Sequence, residues 1–332
     1  MKALARHLLP FVDVVMTPFV YPSAYLLKAV RRLGVQRLPL CKDALMKIGV
    51  FPIRDHYYEP RFKPDLAARP YSQPRQLPGI DWSIDAQLGL LECMVFAHEL
   101  AKLPQAPRGP LQFHFNNGFF ESGDAEYWYQ MIRLKKPARI VEAGSGNSTL
   151  IAALAIRRNR QDDPSYVCEH VCIEPYEAPW LEQLGVQVIR RRIEELEVSF
   201  FSNLQADDIL FIDSSHMIKP QGDVVFELLE LLPLLKPGVI VHVHDIFSPR
   251  DYLKKWIIDE VRLWNEQYLL EAFLSHNEQW RIIGALNYLH HAYPEQLKQA
   301  APFLTPQREP CSFYIQRVGV REQPSRAGFQ VL

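Results

Sequence analysis

The chain has 332 residues, of which 48% are hydrophobic and 23% are charged, a composition typical of a folded protein with a substantial core. Its formal net charge is only -1, so it has no overall basic excess of the kind that nucleic-acid binding requires, and we expect no nucleic-acid partner. The 5 cysteines are an odd number without a CxxC pair, which argues against a disulfide framework and predicts a reducing, cytoplasmic location.

The first 75 residues differ from the rest in charge, with 13 Lys and Arg against 5 Asp and Glu. Apolar residues dominate from Leu8 to Val30. This stretch is interrupted by residues that do not suit a signal peptide or a membrane-spanning helix: Pro10, Asp13, Pro18 and Pro22. We predict an amphipathic helical layer over residues 1 to about 50. It would pack on the main domain, on a second subunit of a homo-oligomer, or peripherally on the inner membrane surface.

A proline-rich connector follows this layer, and its prolines exclude a long helix. Helical spacing of apolar residues predicts a helix from Ser83, as its N-cap, to Lys102. A second helix is predicted to begin near Ser122 or Asp124 and to end before Pro137. We therefore expect residues 1–130 to form a helical, proline-rich extension that acts as a pocket lid, and residues 131–332 to form the main domain.

Strands and helices alternate beyond residue 137. Strands are predicted over residues 138–144, 170–175, 186–191, 208–216 and 238–247. Helices are predicted over residues 148–159, 178–185, 223–235 and 252–274. This alternation is typical of an α/β, doubly wound and mainly parallel sheet with helices on both faces. Two late segments, 280–289 and 312–318, are expected to close the sheet as an antiparallel edge pair.

The first strand of this sheet ends in the turn VEAGSGNSTL. Glu142 closes the strand, Gly144 and Gly146 make a tight turn, and Ser148 begins the helix. Doubly wound sheets bind their ligands at this carboxyl edge. A dinucleotide fingerprint would need a third glycine where Thr149 stands, so the turn does not favour NAD.

The second strand ends in Glu174, where an acid can accept hydrogen bonds from both hydroxyls of a ribose. With EAGSG in the first turn and this acid after the second strand, residues 138–318 resemble the class I S-adenosylmethionine-dependent methyltransferases. The resemblance implies S-adenosylmethionine as the cofactor and a seven-stranded sheet of order 3-2-1-4-5-7-6. It also implies cofactor binding by a defined set: Glu142, Gly144, Ser145, Gly146, Ser148 and Glu174, with Glu194 or Glu195 beside the adenine.

Two neighbouring strands end in a carboxylate with an imidazole, the first in Asp213 and His216 and the second in His244 and Asp245. This mixed set of oxygen and nitrogen ligands suits a divalent metal. Strict strand alternation would separate His244 from Asp245, so the chain must turn for both to face one ion. His242 lies deeper, and we expect a core histidine that is hydrogen-bonded to the backbone.

These strand ends resemble the methyltransferase-24-like branch that includes macrolide sugar O-methyltransferases and cephalosporin hydroxylase. The resemblance implies a metal site of Asp213, His244 and Asp245, in which a histidine replaces the usual glutamate. Mg, Mn, Fe and Zn therefore stay open as the metal. Asp213 and His216 are the catalytic candidates. His216 would act as a general base or would hold a metal ligand in place without binding the metal itself. Aromatic side chains could wall the pocket: Tyr57, Tyr58, Phe119, Phe120 and Trp264.

The function predicted from these features is methyl transfer from S-adenosylmethionine to a small, natural-product-like molecule, by metal-assisted O-methylation. Two alternatives stay open. The first is a metal-dependent oxygenase that resembles cephalosporin hydroxylase. The second is a non-catalytic methyltransferase-like module at a membrane surface.

Overall fold

The computed structural model describes residues 2–56, 58–62, 67–109 and 111–319. The chain forms two compact units, Met1–Ala67 and Ala68–Leu332. The domain boundary predicted after residue 130 is therefore wrong, because it falls inside the helix Asp124–Lys135. Residues 68–130 pack as part of the second unit.

The N-terminal unit consists of two helices, α1 (Lys2–Leu33) and α2 (Pro39–Ile48), joined by the 3-10 turn Val35–Arg37. The helical layer is thus observed over the predicted range. Three prolines lie within α1. Gly49 ends α2 in the left-handed conformation, with φ of 79°. None of the helices in the described ranges has the length and apolar character that crossing a bilayer would take.

The second unit has helices on both faces of one sheet. Its helices and strands in chain order are α3 (Ile84–Glu92), α4 (Ala97–Leu100), α5 (Asp124–Lys135), β1 (Arg139–Ala143), α6 (Asn147–Asp162), β2 (Glu169–Ile173), β3 (Gln187–Ile189), β4 (Ile209–Ile212), α7 (Asp223–Val225), β5 (Ile240–Val243), α8 (Glu266–Leu274), β6 (Trp280–Ala285), α9 (Leu286–Ala292), α10 (Pro294–Ala300) and β7 (Phe313–Arg317).

The sheet has the strand order β3-β2-β1-β4-β5-β7-β6 within the described residues, which confirms the order that the resemblance implied. Its first five strands are parallel, and β7 runs antiparallel to both β5 and β6. The carboxyl ends of β1, β2, β4 and β5 therefore meet at one edge. The amino end of β7 joins them there, since Phe313 pairs with Val243.

Two apolar layers hold the helices to the sheet. One contains buried residues of α3, α5, α6, α9 and α10, with Trp128 and Ile151 fully buried against Phe211 of β4. The other lies on the opposite face and contains residues of α7, of the π-helical segment Phe226–Leu231 that follows it, and of α8. Leu228 and Leu270 are buried there against the sheet. Both faces of the parallel strands are thus covered, which explains the wholly apolar β4 and the burial of the polar Glu142 and His242 within β1 and β5.

The helix predicted from Ser83 to Lys102 is two shorter helices, α3 and α4. Ser83 does not act as a side-chain N-cap, because its backbone is left-handed and its hydroxyl makes no capping bond. Its backbone N–H donates to Asp81 Oδ1 at 2.8 Å instead. This local turn sets the start of α3.

Three further predicted helices differ from what is observed. The helix predicted over 223–235 begins as α7 but continues as the π-helical segment Phe226–Leu231 and the 3-10 turn Leu232–Leu234. The segment 178–185 contains only the 3-10 turn Leu181–Leu184, which ends at the left-handed Gly185. The long helix predicted over 252–274 is broken into a π-helical turn, Lys255–Asp259, and α8. Val261, with φ of 52°, lies in the break, a conformation that a continuous helix does not allow.

Candidate functional site

The glycine turn after β1 has one glycine that the fold requires and one that faces open space. Gly144 has φ of 79°, and a Cβ there would lie 1.9 Å from the backbone oxygen of Asp213. Only glycine allows this close approach of the β1 and β4 ends. At Gly146 a Cβ would meet nothing within 4 Å. The main chain at Gly146 is therefore open to a ligand.

Glu142 lies beneath this turn and is fully buried. Its Oε2 accepts hydrogen bonds at 2.9 Å from the hydroxyls of Ser148 and Thr149, and its Oε1 lies 2.5 Å from His170 Nε2. The carboxylate therefore holds the first turn of α6 and the end of β1 in place. The predicted contact of Glu142 and Ser148 with the cofactor has no support in this geometry, since the two side chains are turned toward each other.

Glu174 follows β2 and is held by three backbone N–H groups. Those of Tyr176 and Glu177 donate to Oε1 at 3.0 and 2.8 Å, and that of Ser145 donates to Oε2 at 3.3 Å. A carboxylate has about four lone-pair positions, so one position is left for a ligand hydroxyl. A second ribose hydroxyl would have to displace the long bond from Ser145.

Gly144, Glu174 and Asp213 line one cleft of about 460 Å³, within the usual size range of small-molecule sites. Glu194 also lines this cleft, whereas Glu195 pairs with Arg192 at 2.7 Å on the outer surface. Of the two glutamates proposed beside the adenine, only Glu194 is placed for that role.

The ends of β4 and β5 bring the predicted metal ligands together. His216 Nε2 lies 3.3 Å from Asp213 Oδ1 and 3.5 Å from Asp245 Oδ2. His244 Nδ1 lies 3.7 Å from Asp213 Oδ1 and 3.5 Å from Asp245 Oδ1, and it is buried without a hydrogen-bond partner. The ligand atoms of Asp213, His216 and Asp245 lie within 4.8 Å of one another, whereas His244 forms such a group with Asp124 and Cys311. The structure thus puts His216, and not the predicted His244, beside the two aspartates. We call the four neighbouring side chains the Asp-His cluster: Asp213, His216, His244 and Asp245.

Backbone conformation explains how His244 and Asp245 reach the same volume. β5 ends at Val243, so strand alternation no longer applies to the next residues. Asp245 then adopts φ of 59°, and His216 on the neighbouring loop has φ of 58°. A left-handed backbone is costly for residues other than glycine, and such strain is concentrated at functional sites.

Glu266, at the start of α8, fixes the orientation of His216. Its Oε2 lies 2.9 Å from His216 Nδ1, which leaves Nε2 to face the two aspartates. The ring of Trp264 lies 4.1 Å from the imidazole, measured between ring centres. This is how a metal-binding histidine is usually held, with a carboxylate on the nitrogen that does not bind the ion.

Sequence reasoning missed two side chains behind His244. Cys311 Sγ lies 3.6 Å from His244 Nε2 and 3.2 Å from Asp245 Oδ1, and Asp124 Oδ2 lies 3.9 Å from the same imidazole nitrogen. Cys311 precedes β7, whose amino end lies at the carboxyl edge because β7 is antiparallel. The predicted antiparallel edge pair was the signal that could have located Cys311, whereas Asp124 was considered only as a helix start.

The cluster perturbs the acidity of its members. Burial would raise the pKa of Asp213, but the neighbouring His244 and His216 hold it well below its usual value. Burial would likewise lower the pKa of His216, yet its bonds to Asp213 and Glu266 raise it well above normal. Burial also opposes the charge on His244, but Cys311, Asp245 and Asp213 raise its pKa. The carboxylates thus attract positive charge into the cluster.

The other residues singled out from the sequence have varied positions. His242 is fully buried against Phe211 and Tyr314, and neither of its ring nitrogens has a protein partner, so its predicted backbone hydrogen bond is absent. Burial holds its pKa well below normal. Phe120 lies 5.0 Å from the ring of His244. Of the aromatic residues proposed for the pocket wall, Tyr58 and Phe119 are exposed. Tyr57 lies outside the described residues.

Comparisons with known proteins agree with this architecture. Residues 141–246 match a family model described as a methyltransferase domain. An uncharacterised protein from Archaeoglobus fulgidus is 32% identical over 138 residues, which cover 40% of this chain and 61% of that protein. The match thus spans less than two thirds of the length of this relative.

Two solved structures show weaker likeness. A structure of cmcI, whose name includes Mg and SAM, is 14% identical with a TM-score of 0.36, covering 78% of this chain and 90% of that one. A candidate methyltransferase from Thermobifida fusca YX is 12% identical with a TM-score of 0.37, covering 77% and 97%. Likeness at this level carries no information about activity.

The matched segment runs from β1 to the residue after Asp245, so it includes the glycine turn, Glu174 and the whole Asp-His cluster. The sheet as a whole, which includes β6 and β7 beyond the matched segment, has the strand order expected of the class I fold. Residues 141–246 therefore match a methyltransferase domain.

Proposed function

We propose that this protein transfers a methyl group from S-adenosylmethionine to a hydroxyl of a small molecule, with a divalent metal bound by the Asp-His cluster. The observation that carries the proposal is the position of the cluster. Asp213 belongs to it and also lines the cleft beside Gly144 and Glu174. A cofactor held at the glycine turn and an acceptor held at the cluster would thus share one cleft.

Two features at or beside the cleft fit the cofactor. The main chain is open at Gly146, next to the cleft, and Glu174 presents an oriented carboxylate within it. We assign the ribose to Glu174 and the amino-acid end of the cofactor to the main chain from Gly144 to Gly146. In this assignment Glu142 and Ser148 support the turn from below.

The spacing within the cluster fits a metal ion. Two ligands about 2.1 Å from one ion lie about 3.0–3.4 Å apart in octahedral or tetrahedral geometry. The distances of His216 and His244 from the two aspartates are 3.3–3.7 Å, close to this range and long for strong hydrogen bonds. The imidazole of His216 favours Zn or Fe over Mg, while the two carboxylates also suit Mn.

The chemistry would be a direct displacement. S-adenosylmethionine supplies an electrophilic methyl group on a positively charged sulfur, and a divalent cation lowers the pKa of a bound hydroxyl. The acceptor oxygen forms a bond to the methyl carbon while the carbon–sulfur bond breaks and its electron pair returns to sulfur. The acceptor's proton would pass to solvent, because the histidines hold the pKa of Asp213 well below its usual value and make this carboxylate a poor base.

Calorimetry with S-adenosylmethionine and S-adenosylhomocysteine tests the cofactor assignment. A hydrogen bond to a charged acceptor contributes about 1.5–3 kcal/mol, so Glu174→Ala should weaken both ligands at least tenfold. Glu182→Ala is the matched control, since Glu182 pairs with Arg190 at 2.9 Å and does not line the cleft. Equal affinity of the two variants would refute the assignment.

Elemental analysis of protein purified without added metal tests the metal assignment. We expect a divalent metal near one equivalent in the parent and a strong loss in Asp213→Asn and Asp245→Asn. Asp259→Asn, at an exposed position, should retain the metal. A metal-free parent, or metal that persists in both cluster variants, would remove the metal from the proposal.

One observation favours a second function. Two imidazole nitrogens with a carboxylate are the ligand set of non-haem iron oxygenases, and His216 Nε2 and His244 Nδ1 lie 3.3 and 3.7 Å from the same oxygen of Asp213. Iron in the purified protein, together with oxygen consumption that depends on a 2-oxo acid, would favour this oxygenase. Methyl transfer without oxygen consumption would exclude it.

A further inference from the structure

Helix α1 carries far more exposed apolar surface than a helix of a water-soluble protein normally does. Phe11, Phe19 and Tyr25 are 69%, 69% and 71% exposed. Other large apolar side chains of this helix are also exposed: Leu8, Leu9, Val12, Val14, Val15, Met16, Val20, Tyr21, Leu26 and Leu33. A contiguous apolar surface of this kind marks a binding site for a protein or a membrane.

The apolar side chains surround most of the helix, and one polar stripe remains. Asp13, Thr17 and Lys28 follow the helical spacing of one side, opposite the side of Val12 and Phe19. The hydroxyl of Thr17 is satisfied inside the helix, because it donates to the Asp13 carbonyl at 2.8 Å. The helix is therefore amphipathic with an unusually wide apolar side.

Charge indicates what covers this surface. Residues 2–48, which span α1 and α2, hold 8 Lys and Arg against 2 acids. Exposed cations lie at the end of α1 and along α2: Lys28, Arg32, Arg37, Lys42 and Lys47. The same two helices also expose Leu40, Met46 and Ile48. Basic residues beside a broad apolar side match a bilayer surface with anionic headgroups.

We propose that α1 and α2 bind the surface of an anionic lipid bilayer, with α1 lying along the interface and its apolar side among the acyl chains. The 32 residues of α1 extend about 48 Å at about 1.5 Å per residue. The polar stripe extends from Asp13 to Lys28, about 22 Å along the middle of the helix, so the helix lies in the membrane plane and does not cross it. Tyr21 and Tyr25 fit the headgroup level, where tyrosine is enriched.

Vesicle flotation with the full-length protein tests this proposal. We expect the protein to float with phosphatidylcholine vesicles that contain 30% phosphatidylglycerol, and binding to fall at high salt because the charges are exposed. The double variant Val12→Glu/Phe19→Glu should bind at least tenfold more weakly. Ala24→Glu, on the polar stripe, should bind nearly as the parent does. These side chains are exposed, so circular dichroism should show that all three proteins are folded.

Three outcomes would overturn the proposal. The first is no flotation of the parent with anionic vesicles. The second is equal flotation of Val12→Glu/Phe19→Glu and Ala24→Glu. The third is a parent dimer in solution that does not bind vesicles and becomes monomeric in Val12→Glu/Phe19→Glu, which would assign the same surface to a second copy of the chain.

Discussion

His216 Nε2 lies 3.3 Å from Asp213 Oδ1, while the other nitrogen of the same imidazole lies 2.9 Å from Glu266 Oε2. The histidine is thus held from behind and presents one nitrogen to the cleft. In metal sites, carboxylates in the position of Glu266 orient the ligand and increase its basicity. The pair therefore predicts that Glu266 acts on the metal without touching it.

Glu266→Gln should lower metal affinity about 10–100-fold, because glutamine keeps the shape but loses the charge behind His216. Metal titration by calorimetry, with Zn and Mn as probes, measures this change. Glu260→Gln is the control, since Glu260 pairs with Arg262 at 2.7 Å, away from the cluster. An unchanged affinity in Glu266→Gln, beside a clear loss in Asp245→Asn, would mean that Glu266 has only a structural role.

The two glycines of the turn should respond differently to alanine. Gly144→Ala places a Cβ against the Asp213 carbonyl in a left-handed backbone, so it should destabilise the fold by at least about 2 kcal/mol. Gly146→Ala has free space and an extended backbone, so the melting temperature should hardly change. Its methyl group would occupy the proposed cofactor space, and S-adenosylmethionine affinity should fall. The opposite pattern would contradict the assignment of the turn.

Glu142 and Glu174 should also differ in their effects, because loss of Glu142 should lower the free energy of unfolding and loss of Glu174 should lower the affinity for the cofactor. Glu142→Ala leaves the buried hydroxyls of Ser148 and Thr149 without their acceptor, at a cost of about 3 kcal/mol in unfolding free energy. Urea unfolding measures this loss. Glu169→Ala, at a half-exposed ion pair with Arg139, should stay within about 0.5 kcal/mol of the parent. A small effect of Glu142→Ala would show that the network under the turn is dispensable.

Glu99 provides a test of pH dependence away from the cluster. Burial would raise its pKa, but hydrogen bonds from Arg133 and Tyr129 hold the pKa below its usual value. A lowered pKa in the folded protein gives stability that is present above the unfolded value of about 4.3 and is lost as pH falls through the folded pKa.

The parent should therefore be more stable than Glu99→Gln at pH 7, and this difference should shrink as the pH falls below about 4. Urea unfolding of both proteins across this range measures the difference. A difference that stays constant with pH would show that the carboxylate charge of Glu99 contributes nothing.

The sequence predicted the sheet well because its strands are rich in apolar and β-branched residues and alternate with helical segments. The carboxyl edge was identifiable because polar residues gather where the strands end, as Asp213 does directly after the apolar β4. The broken helix was not predictable from periodicity, because residues 260–265 keep apolar and aromatic side chains at helical spacing. Tertiary contacts decide the break there, as the backbone N–H groups of Asn265 and Glu266 donate to the His216 carbonyl at 3.0 and 3.2 Å.

The roles of individual carboxylates were harder to predict than their positions. Glu142 and Glu174 each end a strand and look alike in sequence, yet one is fully buried and the other lines the cleft. The difference arises from Ser148, Thr149 and His170, which surround Glu142 from another helix and another strand. Spacing along one chain does not reveal such a set of donors.

The break before α8 also limits where the chain can change in length. A residue inserted between Asn265 and Glu266 would rotate the start of the following helix by about 100° and carry Glu266 away from His216. Residues 260–263 form an irregular segment ahead of Trp264, whose ring packs on His216, and an added residue can be absorbed there. Natural insertions and deletions should therefore be found in 260–263 and be absent from 264–267.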